Sequence, residues 1–328
     1  MARTTVPVEK ILEVHPTWVA EATPGVPVAG GVSTDRMSRG RVYMHANVQT
    51  QRHVGGITDR RGGIIRAGID SLELEMQGID FIVNALRKTG SAWAPDGKCP
   101  SMTMTAGSSK EGLKLWGCVI DSLDLEQEYT EDSEVLKGTF SILALGGQIV
   151  NNLTNTALND PVLRGWQSVA ALTGPTVPTG GFRIRSWKIG LKNNHKYMTY
   201  GDKIANTTPR TGSSIREAYE LKPGEEEVTF EGTCEVPMDW AAANSSDFAA
   251  ACFQPGSVGA TITYTNCGDT GNPFIATLSN MSVDNDFGFE YECDATNGAS
   301  EPVHVFSFKT SKTNPYLQSL AFSEQTGV

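Results

Sequence analysis

From Asp70 onward apolar and polar residues alternate and then change period. Leu72, Leu74 and Met76 fall on one side, and Ser71, Glu73, Glu75 and Gln77 on the other. That period of two belongs to a half-buried strand. Ile79, Ile82, Val83 and Leu86 then recur at helical spacing, so the stretch to Lys88 predicts a strand running into a short helix. The same pattern returns between Gly232 and Phe253. Cys234, Val236 and Met238 take the apolar strand positions, and Asp247 can cap a helix carrying Phe248, Ala251 and Cys252.

The correspondence continues downstream. After the first predicted helix come MTMT (Met102–Thr105), LKLWGCVIDSLDLEQEY (Leu113–Tyr129) and VLKGTFSILAL (Val135–Leu145). After the second come ITYT (Ile262–Thr265), PFIATLSNMSVDNDFGFEY (Pro273–Tyr291) and VHVFSFKT (Val303–Thr310). The order strand, helix, strand, strand, strand is kept at an offset of about 160–170 residues, which argues for an internal duplication. The expected class is mainly β, with two modules of β-sandwich or β-barrel type, each flanked by a short α-helix.

Breaks in the pattern divide the chain. Residues 1–50 carry Pro7, Pro16, Pro24 and Pro27 with several glycines and are expected as an N-terminal arm. Its apolar residues, Trp18 among them, suit an arm that packs on its own domain or on a neighbour. RVYMHANV (Arg41–Val48) could open the first sheet. A first module is expected over 51–150, a linker over 151–181, a second module over 182–312 and a C-terminal tail over 313–328. Phe182, Ile184, Trp187, Ile189 and Leu191 give the second module an apolar strand face, with a phase slip near Ser186 of the kind a bulge makes. The polar stretch that follows, from Lys192 to Ser214, predicts a long loop, and loops of that length usually have a function.

Charge narrows the function classes. The chain has 37 Asp plus Glu against 27 Lys plus Arg, a net of −10, which repels phosphate and disfavours ordinary nucleic-acid binding. No run approaches the roughly 20 apolar residues needed to span a bilayer, and the first residues lack the apolar core of a signal peptide. The expected place of synthesis and folding is therefore the cytoplasm. Six cysteines form no CxxC pair and read as buried thiols. The chain lacks HExxH, GxSxG, P-loop and GxGxxG patterns, and its five histidines are scattered. The expectation is a non-enzyme with no cofactor and no metal. Asp284–Glu290 only glances at a calcium loop, because its glycine is misplaced, and a tight hairpin turn is the better reading.

The long-loop hairpin (Trp187–Tyr219), the strand EEEVTFEGTCEV, the short helix and the closing amphipathic strands resemble the tail tube protein of long-tailed bacteriophages. The first half, with SLELEMQ and LWGCVIDSLDLEQEY, resembles the same module. The resemblance implies a β-sandwich flanked by a helix, whose inner sheets join around a ring into a barrel, with rings stacked into a tube inside the virion. The tape-measure protein and then genomic DNA would pass through that tube, and tail terminator and distal tail proteins would meet its ends. With two modules per chain, a homotrimer ring of pseudo-sixfold symmetry is expected. Glu73, Glu75, Asp124, Glu126 and Glu235 are the candidates for lining the channel, where acid would repel DNA; the alternative is that the same face meets bulk solvent. Asn193, Asn194, His195, Lys196, Tyr197, Tyr200, Asp202 and Lys203 are the candidates for reaching the next ring. Another structural virion protein (tail terminator, baseplate hub or capsid decoration) and a tandem β-sandwich for binding or adhesion are the alternatives.

Overall fold

The computed structural model describes residues 13–33, 36–52, 58–75, 101–128, 136–151, 153, 169–173, 183–198, 216–218, 220–222, 224, 227–235, 258–266, 269–283, 288–290, 303–310 and 320–324. Every regular element among them is a strand, so the protein is mainly β. The two segments expected as helices lie outside the described residues. In chain order the strands are β1 (Glu13–Ala20), β2 (Val32–Ser33), β3 (Arg36–Arg52), β4 (Thr58–Glu75), β5 (Met102–Ser108), β6 (Glu111–Glu128), β7 (Lys137–Ala144), β8 (Gly146–Asn151), β9 (Val169–Thr173) and β10 (Arg183–Lys192). They continue as β11 (Lys196–Met198), β12 (Arg216–Glu217), β13 (Glu220–Lys222), β14 (Glu227–Glu235), β15 (Val258–Asn266), β16 (Asp269–Val283), β17 (Gly288–Glu290), β18 (Val303–Thr310) and β19 (Leu320–Glu324). All except the β11–β13 pair belong to one curled, half-barrel sheet.

Two runs of pairing make up this sheet. In the first, β3 pairs β4, β4 pairs β7, β7 pairs β6, β6 pairs β5 and β5 pairs β1. In the second, β10 pairs β14, β14 pairs β18, β18 pairs β16, β16 pairs β15 and β15 pairs β9. The side strands match too, since β8 adds to β6 and β19 adds to β16. Every one of these pairings is antiparallel. Among the described residues the two runs are joined at a seam, where Ser122–Glu128 of β6 lies antiparallel to Ser186–Lys192 of β10, and β12 makes a second link, pairing parallel with Ile64 and Ile65 of β4.

Among the described residues, the apolar positions of β4, β6, β7, β10 and β14 face one side of this sheet. Leu72, Phe140, Leu123, Leu191 and Val228 are register partners across five successive strands, and each is at most 3% exposed. Leu74, Leu125, Ile189 and Phe230 form a parallel buried row. The core thus runs without interruption through the seam. Sheet curvature has local causes. Ser71 has φ 50° and sits where the β4–β7 register slips between Ile69 and Leu72, and the slip expected near Ser186 is a bulge between Ile184 and Ser186. At Gly68 a Cβ would stand 2.2 Å from the Ile142 carbonyl oxygen and 2.9 Å from the Tyr43 hydroxyl. Only glycine lets β4 and β7 approach so closely there.

Three segments read as peripheral are built into the sheet. From Glu13 the expected arm is strand: β1 pairs both β2 and β5, and Trp18 is 7% exposed. Pro16 is compatible with this because it falls in the register break between Val14 and Thr17, where no ladder bond from it is required. The turn after β1 is tied down by Glu21, whose carboxylate accepts bonds from the Gly25 and Gly117 N–H groups and the Ser101 and Thr103 hydroxyls, at 2.7–2.9 Å. The expected linker contributes β9, and the expected C-terminal tail contributes β19.

Candidate assembly surface

The side of the sheet opposite the core is polar, and register arranges its charges in rows. Glu75, Lys137, Glu126, Lys188 and Glu231 are successive partners across β4, β7, β6, β10 and β14, so charge alternates in sign from strand to strand. Directly opposed unlike charges support antiparallel pairing. A second row holds Arg39, Glu73, Thr139, Asp124, Gly190 and Thr229. Arg39 reaches Glu73 at 3.8 Å, and across the seam Lys188 reaches Asp124 at 3.2 Å. Gly190 leaves room at the seam, because a Cβ there would lie 2.5 Å from the Thr229 hydroxyl and 3.1 Å from Asp124 Oδ1.

Four of the five acidic candidates, Glu73, Glu75, Asp124 and Glu126, therefore share one face and adjoin one another. They do not form a purely negative patch, because Lys137 and Lys188 are interleaved with them. Glu235 stands at the far end of β14, at the register position between Arg183 and Val303.

The stretch after β10 behaves differently from a free loop. Asn193 and His195 are buried, at 6% and 8% exposure. The Asn193 N–H donates to the Asp121 carbonyl at 2.7 Å, and its side-chain amide donates to the Ile120 carbonyl at 2.9 Å. Asp121 Oδ1 accepts the His195 N–H at 2.6 Å and lies 3.2 Å from His195 Nδ1. Asn194 makes the intervening bend with φ 50°, a conformation asparagine tolerates better than most residues. Tyr197, on β11, donates its hydroxyl to the Ala67 carbonyl at 3.1 Å. Of the candidates for reaching a neighbouring ring, Asn193, His195 and Tyr197 are thus engaged with their own chain, while Asn194 and Lys196 are exposed. Tyr200, Asp202 and Lys203 lie outside the described residues.

Burial pushes the Asp121 carboxyl upward, but the hydrogen bonds from the His195 ring and backbone, with the charge of His195, hold it below the ordinary aspartate value. Burial also raises the hydroxyls of Tyr43 and Tyr197, so both stay protonated as donors. Among the described residues no group of three His, Cys, Asp or Glu could hold a metal ion.

Several of the described strands border the sheet on one side only, β8, β9 and β19 among them. Among the described residues β3 pairs along one edge only, with β4, and β17 pairs along one edge only, with β18. Neither a protein-family model nor a curated protein sequence matches the chain.

Proposed function

We propose that the chain is a structural protein that closes into rings through its sheet edges, and that the rings stack into a tube of the kind formed by bacteriophage tail tube proteins. In this reading the two runs of strands are duplicated modules. The observation that carries it is the seam between β6 and β10. In the matched pairing order β10 is the counterpart of β3, and the β6 segment at the seam is the counterpart of the end of β16 with β17. The seam therefore joins one module's last inner strand to the next module's first, and the same two kinds of edge, on β17 and β3, pair with no further strand among the described residues.

A contact between unlike surfaces generates a ring when its rotation closes. An unpaired strand edge is a template for pairing with another chain. Three chains give six modules, with three seams inside chains and three between them. The polar face would then line the channel, and the interleaved carboxylates suit a conduit for tape-measure protein and DNA. Each lysine has acidic neighbours, so no continuous basic strip is available for a phosphate backbone.

Cryo-electron microscopy of the purified assembled protein tests the ring. The expected result is a hollow tube of threefold rings in which two similar modules alternate around the wall. A protein that stays monomeric under all conditions, or a sixfold ring with one module projecting outward, overturns it.

The lining has its own consequence. Replacing Glu73, Glu75, Asp124 and Glu126 together with lysine turns the face strongly basic and leaves the core intact, at a cost in stability from the like charges it sets beside Arg39, Lys137 and Lys188. Tubes should still form. Genome ejection from particles carrying the variant is expected to slow markedly, with the delay relieved by added salt; ejection at the normal rate would show that this face does not meet the DNA.

A further inference from the structure

Between β3, β4 and β11 there is a cavity of about 520 Å³, and its walls are unusual for so acidic a chain. Arg41 on β3, Arg66 on β4 and Lys196 on β11 converge on it, against the single carboxylate of Asp70. Among the described residues no ion pair engages any of these three cations. Nor are they left to wander. The Arg66 guanidinium lies 5.6 Å from the centroid of the Tyr197 ring, and that ring is itself fixed through its hydroxyl to Ala67. Stacking over an aromatic face leaves the N–H edge of a guanidinium available for a planar acceptor. Tyr43 packs beside His45 with ring centroids 5.5 Å apart, and its hydroxyl, kept protonated by burial, is a neutral donor on the same wall. Two guanidinium forks, an ammonium and a phenol around one hollow fit an oxyanion, and a carboxylate fits the forks two N–H groups at a time.

We propose that this pocket receives an acidic side chain from the neighbouring copy of the chain when the ring closes. The inference rests on the ring reading above and identifies what holds the contact in register. Arg41, Tyr43 and His45 all lie on β3, the strand whose outer edge that reading assigns to the neighbour. At the internal seam the corresponding strand, β10, meets its partner through Lys188 and Asp124, so a cation on this strand and a carboxylate on the incoming one repeat the same chemistry. The surplus of acid, net −10, supplies the ligand.

The test uses the full chain and compares assembly of wild type with Arg41→Ala/Arg66→Ala, and with Arg41→Lys/Arg66→Lys to separate charge from fork geometry. Melting curves of the unassembled proteins check that folding is retained. The expected result is a rise in the critical concentration for assembly of roughly tenfold or more in the alanine pair, partial recovery in the lysine pair, and inhibition of wild-type assembly by inorganic phosphate beyond that of chloride at equal ionic strength. If wild type assembles and the alanine pair assembles at the same concentration, the pocket proposal is overturned while the ring reading survives. Binding of phosphate by the unassembled protein at the pocket with assembly unchanged in the variants would overturn it equally, by making the site one for a free anion. Failure of wild type to assemble would instead strike the ring reading itself.

Discussion

Phe140→Ala is expected to lower stability by about 3–5 kcal/mol, the cost of emptying a buried aromatic site that cannot collapse. Phe140 is fully buried on β7, with Leu72 on one side and Leu123 on the other, in the middle of the apolar row that crosses five strands. Neither leucine can move into the gap without disturbing its own ladder. Whole domains are stable by only about 5–15 kcal/mol, so the variant should lose a large share of its margin. Urea unfolding measures this. The midpoint should fall with the slope unchanged, and Phe140→Leu should recover more than half of the loss. A midpoint within error of wild type would mean that the row through the seam is not one continuous core.

That core was legible in the sequence because alternation is a local signal. Leu72, Leu74, Leu123, Leu125, Ile189 and Leu191 each stand two residues from the next apolar position, and the bulge near Ser186 showed as a slip in the same count. The reading failed where the inward-facing residues were polar. From Leu191 to Lys196 burial still alternates, with Leu191, Asn193 and His195 inside and Lys192, Asn194 and Lys196 outside. Asparagine and histidine carry no apolar signature, though, and only their partners on β6 show why they can be buried. It failed also at β1 and β19, where prolines or shortness hid strands whose partners lie far along the chain.

The charge mosaic was illegible for a different reason. Glu73, Glu75, Asp124 and Glu126 were visible as acidic positions, but Lys137 and Lys188 become their neighbours only through register, which depends on the bulges as much as on the pattern. The basic pocket is of the same kind. Arg41, Arg66 and Lys196 come from three stretches of chain, and no spacing within any one of them announces the cavity they share.

Asp121→Ala is the substitution expected to undo the clip between β6 and the start of β11. Asp121 accepts both the His195 backbone N–H and a ring N–H, and the His195 side chain is 0% exposed, so removing the carboxylate breaks two hydrogen bonds in a buried place. Each such loss costs about 1–3 kcal/mol, and a total of about 3 kcal/mol is expected at pH 7. Acidity gives an independent signature. The Asp121 value is depressed in the folded state, so its contribution is fully present above the unfolded value of about 3.9 and is lost as the pH falls through the folded one. The stability gap between wild type and Asp121→Ala, read from urea midpoints, should therefore narrow below about pH 4. Because Tyr197 follows two residues after His195 and orients Arg66, the same variant should also weaken assembly. A gap that stayed constant down to pH 2 would show that the carboxylate's charge plays no part in holding the clip.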